Sequence, residues 1–122
     1  MDFKNAKELL ELCKTNHLPI SDVMRQRECE LGETTADMIR HKMNRVLEIM
    51  RESASSPIKC PGKSMGGLIG GEAKKLSVHH AKGKDICGSV LSRGITYAMA
   101  VLEVNASMGL IVAAPNAGSS GI

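Results

Sequence analysis

The sequence predicts an all-α fold, and three observations support that prediction. Aromatic residues make up 2% of the chain, with one Phe, one Tyr and no Trp, so the core must be aliphatic. Sheets draw more heavily on aromatic and β-branched residues, which favours packed helices here. Apolar residues recur at helical spacing, and helix start signals precede two of the periodic segments. The length of 122 residues suits one compact domain.

The first two helices are predicted before residue 32. Asn5 can cap the first helix, with Glu8 three residues on, as in a capping box. The apolar face of this helix consists of Phe3, Ala6, Leu9, Leu10 and Cys13. His17 lies in the break that follows. A second, weaker helix is predicted over residues 21–31, where Arg27 interrupts the apolar face.

The third helix has the strongest pattern. Thr34 and Asp37 give the [ST]-x-x-[DE] start signal. An unbroken i, i+3, i+4 stripe follows, formed by Met38, Ile39, Met43, Val46, Leu47 and Met50. Residues 53–57, which include a proline, are expected to end this helix.

The composition changes after the third helix. Residues 57–71 are rich in Pro, Gly and Lys and indicate an ordered loop, and a short helix is predicted over residues 72–79. From Asp85 onward a further helix is apolar on most sides, so we expect it to be central in the fold. The chain is therefore predicted to divide into N-terminal amphipathic helices over residues 1–55 and a second region over residues 56–122.

The composition also excludes several classes of protein. The net charge of +3 comes without a clustered basic face, and few aromatic rings are present for base stacking, so no nucleic-acid partner is expected. Residues 95–114 are mostly apolar, but Glu103 and Asn105 favour a core helix over a membrane span. The four cysteines form no C-x-x-C pair, so no zinc or ferredoxin-like site is predicted. Free cysteines without a signal peptide fit a cytoplasmic protein.

The glycine-rich loop KSMGGLIGG, residues 63–71, is the first candidate for chemistry. Its backbone N–H groups, the Lys63 cation and the Ser64 hydroxyl suit a small carboxylate or a phosphate. A tight turn between helices explains the same residues equally well. A nucleotide-binding P-loop is rejected, because Pro57 stands where that pattern needs a glycine.

Two further segments carry polar groups in unusual settings. Residues 114–121 (APNAGSSG) offer an amide, two hydroxyls and unhindered N–H groups for a polar small molecule, although such composition is also typical of a flexible linker. Glu103 and Asn105 lie inside an apolar helix and must find hydrogen-bond partners there. A functional contact and a structural cross-link are both open for this pair.

Two long motifs resemble a known family. KSMGGLIGGEAKKL (63–76) and GSVLSRGITYAMAVLEVNASMGLIVAAPNAGSSGI (88–122) closely resemble the alpha subunit of iron–sulfur-dependent L-serine dehydratase. Residues 1–50 also resemble the start of that subunit in its two-chain form. The resemblance implies a helical domain with Gly-rich active-site loops, part of a larger alpha subunit. It implies a lyase of amino-acid degradation and gluconeogenesis that converts L-serine to pyruvate and ammonia without pyridoxal phosphate.

The resemblance also implies a cofactor and partners. The cofactor is a [4Fe–4S] cluster in which one iron lacks a cysteine ligand and acts as a Lewis acid on serine. The family's cluster cysteines follow the Ala-Pro-x-Ala-Gly-Ser loop, so no metal ligand is assigned in this chain. We therefore expect a truncated subunit that is inactive in isolation. The expected partners are L-serine and the serine dehydratase beta subunit, in an oligomeric assembly.

By the same resemblance, eight residues are expected to contact substrate. Those of the active-site wall are Lys63, Ser64, Gly66 and Gly67, and those of a substrate-facing loop are Asn116, Ala117, Gly118 and Ser119. The family usually has threonine where this chain has Asn116, so this chain lacks a hydroxyl at that position. The catalytic residues, including the general base, are not assigned. The alternative function is a non-catalytic helical binding or assembly module that retains an anion-binding glycine loop.

Overall fold

The all-α prediction is confirmed by the computed structural model, which describes residues 1–112. These residues form five helices and no strand: α1 (Ala6–Asn16), α2 (Ile20–Leu31), α3 (Ala36–Lys59), α4 (Glu72–Ala81) and α5 (Ser89–Ala106). The chain divides into two compact units, one over Met1–Arg45 and one that begins at Val46. The functional division predicted between residues 55 and 56 stays a prediction.

The first unit is built on the packing of α1 against α2. The predicted cap of α1 is confirmed: the Glu8 N–H donates to Asn5 Oδ1 at 3.0 Å, and Asn5 Nδ2 donates to Glu8 Oε1 at 2.8 Å. His17 ends α1 in the left-handed region, with φ of 51°, which confirms the predicted break. Val23 of α2 is fully buried and forms the centre of this small core.

The arginine that interrupts the apolar face of α2 has a structural role in the first unit. The Arg27 guanidinium carbon lies 4.5 Å from the centroid of the Phe3 ring, which is the geometry of a cation–π contact. Arg27 Nη2 also lies 3.4 Å from Asp2 Oδ1. The Met1 ammonium pairs with Glu30, so a second ion pair ties the N-terminus to α2. Arg27 therefore adds to the packing of this face.

Both predicted ends of α3 were wrong. At its start, the Met38 N–H donates to Thr35 Oγ1 at 3.3 Å, so the capping hydroxyl lies one residue after the predicted Thr34. At its end, α3 continues through Pro57 to Lys59. A proline removes one backbone donor, but the next turn still closes because the Cys60 N–H donates to Ser56 O at 2.8 Å. Pro57 is itself buried, so its ring is packed in the second unit.

In the second unit, α4 packs against α5. Small buried side chains, Ala73 on α4 and Ala100 on α5, allow a close approach of the two helices. The expectation that α5 is central was wrong for the described residues, because several of its large apolar side chains face solvent, with Val90 77% and Leu91 56% exposed. Among residues 1–112, no helix is long and apolar enough to cross a membrane.

Candidate functional site

The glycine-rich loop lies between α3 and α4, and hydrogen bonds to Ser64 hold it together. The Ser64 N–H donates to Ile69 O at 2.7 Å, and the Ile69 N–H donates back to Ser64 Oγ at 3.2 Å. The Gly67 N–H donates to Ser64 O at 2.9 Å. Ser64 thus uses its N–H, its carbonyl and its side-chain oxygen within the loop. The hydroxyl hydrogen of Ser64 is left as a donor, because its oxygen serves as the acceptor.

Two glycines at the α4 end of this loop are required by the backbone. A Cβ on Gly70 would lie 2.1 Å from Gly62 O and 2.9 Å from Lys63 Cα, so the two ends of the loop touch at a place where only glycine fits. Gly71 precedes α4 in the left-handed region, with φ of 94°. Glycine therefore serves here for positive φ and for the close approach of one backbone segment to another, whereas close approach to a ligand stays a prediction.

Glu103, one of the two polar residues inside the apolar helix, reaches this loop from α5. It is 3% exposed. Its Oε1 accepts from the Ala73 N–H at 2.7 Å, and its Oε2 accepts from the Gly71 N–H at 3.1 Å. Gly71 is the N-cap of α4 and Ala73 lies in its first turn, and N–H groups at a helix start have no partner within their own helix. The buried carboxylate of Glu103 is therefore the N-terminal cap of α4, and a structural cross-link is its observed role.

A second carboxylate joins Glu103 at the same helix end. Glu72 Oε2 accepts from the Gly70 N–H at 2.8 Å. The backbone N–H of Glu72 itself contributes most to lowering the pKa of this carboxyl group below its ordinary value. Burial raises this pKa, while the Gly70 N–H, the Glu103 side chain and the Lys75 charge lower it further. The start of α4 therefore favours ionised Glu72.

The candidate substrate residues of the loop lie together on an open surface. Lys63, Gly66 and Gly67 are exposed and Ser64 is half-buried. The apolar side chains between and beside them also point to solvent, since Met65 is 88% exposed and Leu68 is 90% exposed. The second group of candidates, Asn116, Ala117, Gly118 and Ser119, lies outside the described residues.

A small cavity of about 190 Å³ lies behind the loop. Its lining joins the start of the loop to the end of α5: Ser56, Pro57, Cys60, Gly62, Glu103, Val104, Ser107 and Gly109. The two motifs singled out in the sequence therefore approach each other here, because Gly62 precedes the first and Gly109 belongs to the second. Glu103 contributes to both the cavity wall and the cap of α4.

Sequence reasoning missed one pair of titratable side chains. His80 Nδ1 lies 2.5 Å from Asp85 Oδ2, and both side chains are partly buried. His80 also lines a cavity of about 270 Å³ together with Arg93 and Tyr97. His80 stands eight residues after the start of α4, or about 12 Å along the helix axis. That distance is too long for one serine-sized ligand to touch both His80 and the glycine loop. The five-residue spacing across a turn was the only signal in the sequence.

Within residues 1–112, no three His, Cys, Asp or Glu side chains come together in a way that could hold a metal ion. The free cysteines lie on separate elements, with Cys13 and Cys29 half-buried and Cys60 and Cys87 exposed. These residues therefore do not fit a [4Fe–4S] cluster, which needs several thiolates in one place.

Fold and loop together define a helical protein built around a carboxylate-capped glycine loop. Its sequence matches the serine dehydratase alpha chain family over residues 15–122, and the chain belongs to that family. No solved structure is significantly similar to it.

The relatives carry consistent names. The chain is 38% identical over 120 residues to a Bacillus subtilis (strain 168) protein named "Probable L-serine dehydratase, alpha chain" and 37% identical over 117 residues to the "L-serine dehydratase, alpha chain" of Peptoniphilus asaccharolyticus. These matches cover 98% and 96% of this chain, and 40% of each relative. It is also 33% identical over 126 residues to the "L-serine dehydratase" of Helicobacter pylori (strain J99 / ATCC 700824), covering 99% of this chain and 27% of that protein. The chain thus spans about two fifths of the length of the first two relatives.

Proposed function

We propose that this chain forms part of the substrate-binding wall of an L-serine dehydratase alpha subunit. The proposed reaction removes water from L-serine to give aminoacrylate, which water then hydrolyses to pyruvate and ammonia. The observation that carries the proposal is the family match over residues 15–122, which includes the glycine loop with its ordered backbone. The printed names of the relatives supply the substrate class.

Within the loop, we assign recognition of the serine carboxylate to Lys63 and Ser64. Lys63 is exposed and carries a cation that an α-carboxylate would pair with. The Ser64 hydroxyl accepts from the Ile69 N–H, which leaves its hydrogen available to donate to a ligand. Gly66 and Gly67 leave that side of the loop open, because neither carries a side chain. Asn116, Ala117, Gly118 and Ser119 are proposed from the resemblance to contact the substrate as well.

The remaining parts of the enzyme are proposed from the resemblance. The chain is proposed to be a fragment of a longer alpha subunit in a cytoplasmic complex with a beta subunit. The [4Fe–4S] cluster is not assigned to the described residues, because no metal-binding group is found among them. The role we propose for these residues is therefore binding and orienting the substrate.

The proposal is tested on the alpha subunit assembled anaerobically with its beta partner. Replacing Lys63 by Met removes the charge from an exposed side chain and leaves the backbone bonds of the loop intact. We expect the KM for L-serine to rise about tenfold or more, because a hydrogen bond to a charged group contributes roughly 1.5–3 kcal/mol. Ser64→Ala is expected to weaken both binding and turnover.

Ser89→Ala, at an exposed position in the first turn of α5, is the control variant and should leave the kinetics unchanged. Unchanged kinetics in both Lys63→Met and Ser64→Ala would show that the loop does not bind the substrate.

One observation favours the second candidate, a non-catalytic helical module. The N–H groups of Gly70, Gly71 and Ala73 already donate to the chain's own carboxylates, so this end of the loop is closed to an added anion. A non-catalytic module predicts that the assembled complex binds no L-serine in isothermal titration calorimetry. A measurable heat that disappears in Lys63→Met would favour the dehydratase.

A further inference from the structure

We propose that Glu103 is a positioning residue for substrate binding, which rests on the proposed function. Its buried carboxylate closes the α4 side of the glycine loop and holds the other side, residues 63–67, in the form that receives the substrate carboxylate. Glu103 makes no contact with substrate in this proposal and acts through the loop backbone.

The first step is the hydrogen bonding of Glu103 to the end of the loop. Its two oxygens accept from two different N–H groups, Ala73 at 2.7 Å and Gly71 at 3.1 Å. Two bonds from one planar carboxylate fix both the position and the rotation of the first turn of α4. Because Glu103 is 3% exposed, water offers little competition for these bonds.

The second step is the transfer of that position to Lys63. Gly70, next to Gly71, is in direct backbone contact with Gly62 and Lys63. A Cβ atom added to Gly70 would lie 2.1 Å from Gly62 O and 2.9 Å from Lys63 Cα. Because the two backbone segments touch directly, neither can move toward the other without displacing it. A shift of Gly71 away from Glu103 would therefore move the backbone that carries Lys63.

The third step is electrostatic. A helix N-terminus carries a partial positive charge and attracts anions. At α4 that charge is already met by the carboxylates of Glu103 and Glu72. The N–H groups of Gly70, Gly71 and Ala73 already donate to these side chains, so a substrate carboxylate finds no free donor at α4, whereas on the open side it meets Lys63. Glu103 thus directs the substrate carboxylate away from the helix end.

The test uses Glu103→Gln in the alpha subunit assembled with its beta partner. Glutamine keeps the shape but has one acceptor oxygen, so its NH₂ group faces one of the two N–H donors. We expect amide hydrogen exchange at Gly71 and Ala73 to become roughly tenfold faster or more, from the loss of one buried bond. We expect the KM for L-serine to rise several-fold while kcat changes less than about twofold. This pattern means that the lost binding energy is the same in the ground state and in the transition state.

The matched control is Glu52→Gln, which removes the same charge from an exposed position on α3 and should change neither exchange at the loop nor KM. If Glu103→Gln does not fold, Glu103→Asp takes its place, because it keeps the charge but is one methylene too short to reach both donors. A lower kcat at unchanged KM would overturn the proposal in favour of a purely structural role, and so would unchanged exchange at Gly71 and Ala73. Absence of L-serine turnover in the wild-type complex would instead sink the proposed function, while the exchange data would still decide whether Glu103 holds the loop.

Discussion

Replacing Gly70 by Ala is expected to be among the most damaging single substitutions in the glycine loop. The new Cβ would lie 2.1 Å from Gly62 O, whereas real Cβ contacts do not fall below 3.0 Å, so the backbone must separate by at least about 0.9 Å. The atoms it meets belong to backbone, which cannot rotate away. Forced repacking of this kind costs about 1–3 kcal/mol. The φ of +153° adds strain of about 1–2 kcal/mol for a residue with a side chain.

The matched variant is Gly66→Ala in the same loop, where a Cβ meets nothing within 4 Å and φ is not in the left-handed region. We expect Gly66→Ala to lie within about 0.5 kcal/mol of wild type, as surface substitutions usually do. Urea unfolding followed by circular dichroism at 222 nm measures both variants. With a slope of about 1–3 kcal/mol per M urea, Gly70→Ala should lower the midpoint by about 1–2 M. Equal midpoints for the two variants would refute the close backbone contact.

Three further predictions concern individual hydrogen bonds. Asn5→Ala should destabilise the first unit by about 1 kcal/mol, measured by urea unfolding, because it removes the cap of α1. Glu72 has a folded-state pKa below its ordinary 4.5, so its contribution to stability is present above pH 4.5 and is lost as the pH falls through the folded value. Thermal unfolding from pH 7 to pH 3 should therefore show Glu72→Gln less stable than wild type at pH 7, with the difference becoming smaller as the pH falls. A double-mutant cycle over His80→Gln and Asp85→Asn should give a coupling of about 0.5–1.5 kcal/mol, and additive effects would contradict the pairing.

Local sequence patterns predicted much of the fold. The Asn5–Glu8 box and the break at His17 depend on residues a few positions apart, and the structure confirms both. The structure also has a helix where each apolar stripe predicted one, although the stripe of α3 is largely exposed, with Met43 at 60%. The errors arose where a local sequence rule took no account of how the residues pack in the folded protein. Pro57 was expected to end α3, but a proline in the final turn lacks only one bond, and its buried ring is packed. α5 was expected to be central because of its composition, which cannot show how many neighbours cover it.

The candidate site was harder to predict because its bonds join distant residues. The sequence showed that Glu103 must find a partner but did not show which one, since Gly71 and Ala73 lie 32 and 30 residues away. His80 and Asp85 were missed for a related reason, because the turn between them brings together side chains whose spacing matches no known motif. Lys63 and Ser64 were singled out correctly as members of one loop, because glycine spacing is a local signal. Their contact with substrate stays a prediction.

The cap that Glu103 supplies also sets an order of events during folding. The cap of α1 joins residues only three positions apart, so it forms together with α1 and closes no long loop. The cap of α4 must wait until a chain of about 30 residues has closed on itself, at an entropic cost of about 3 kcal/mol. That cost is offset when α5 packs on α4. We therefore expect the glycine loop to take its final form late, after α5 has left the ribosome, with α1 and α2 already formed.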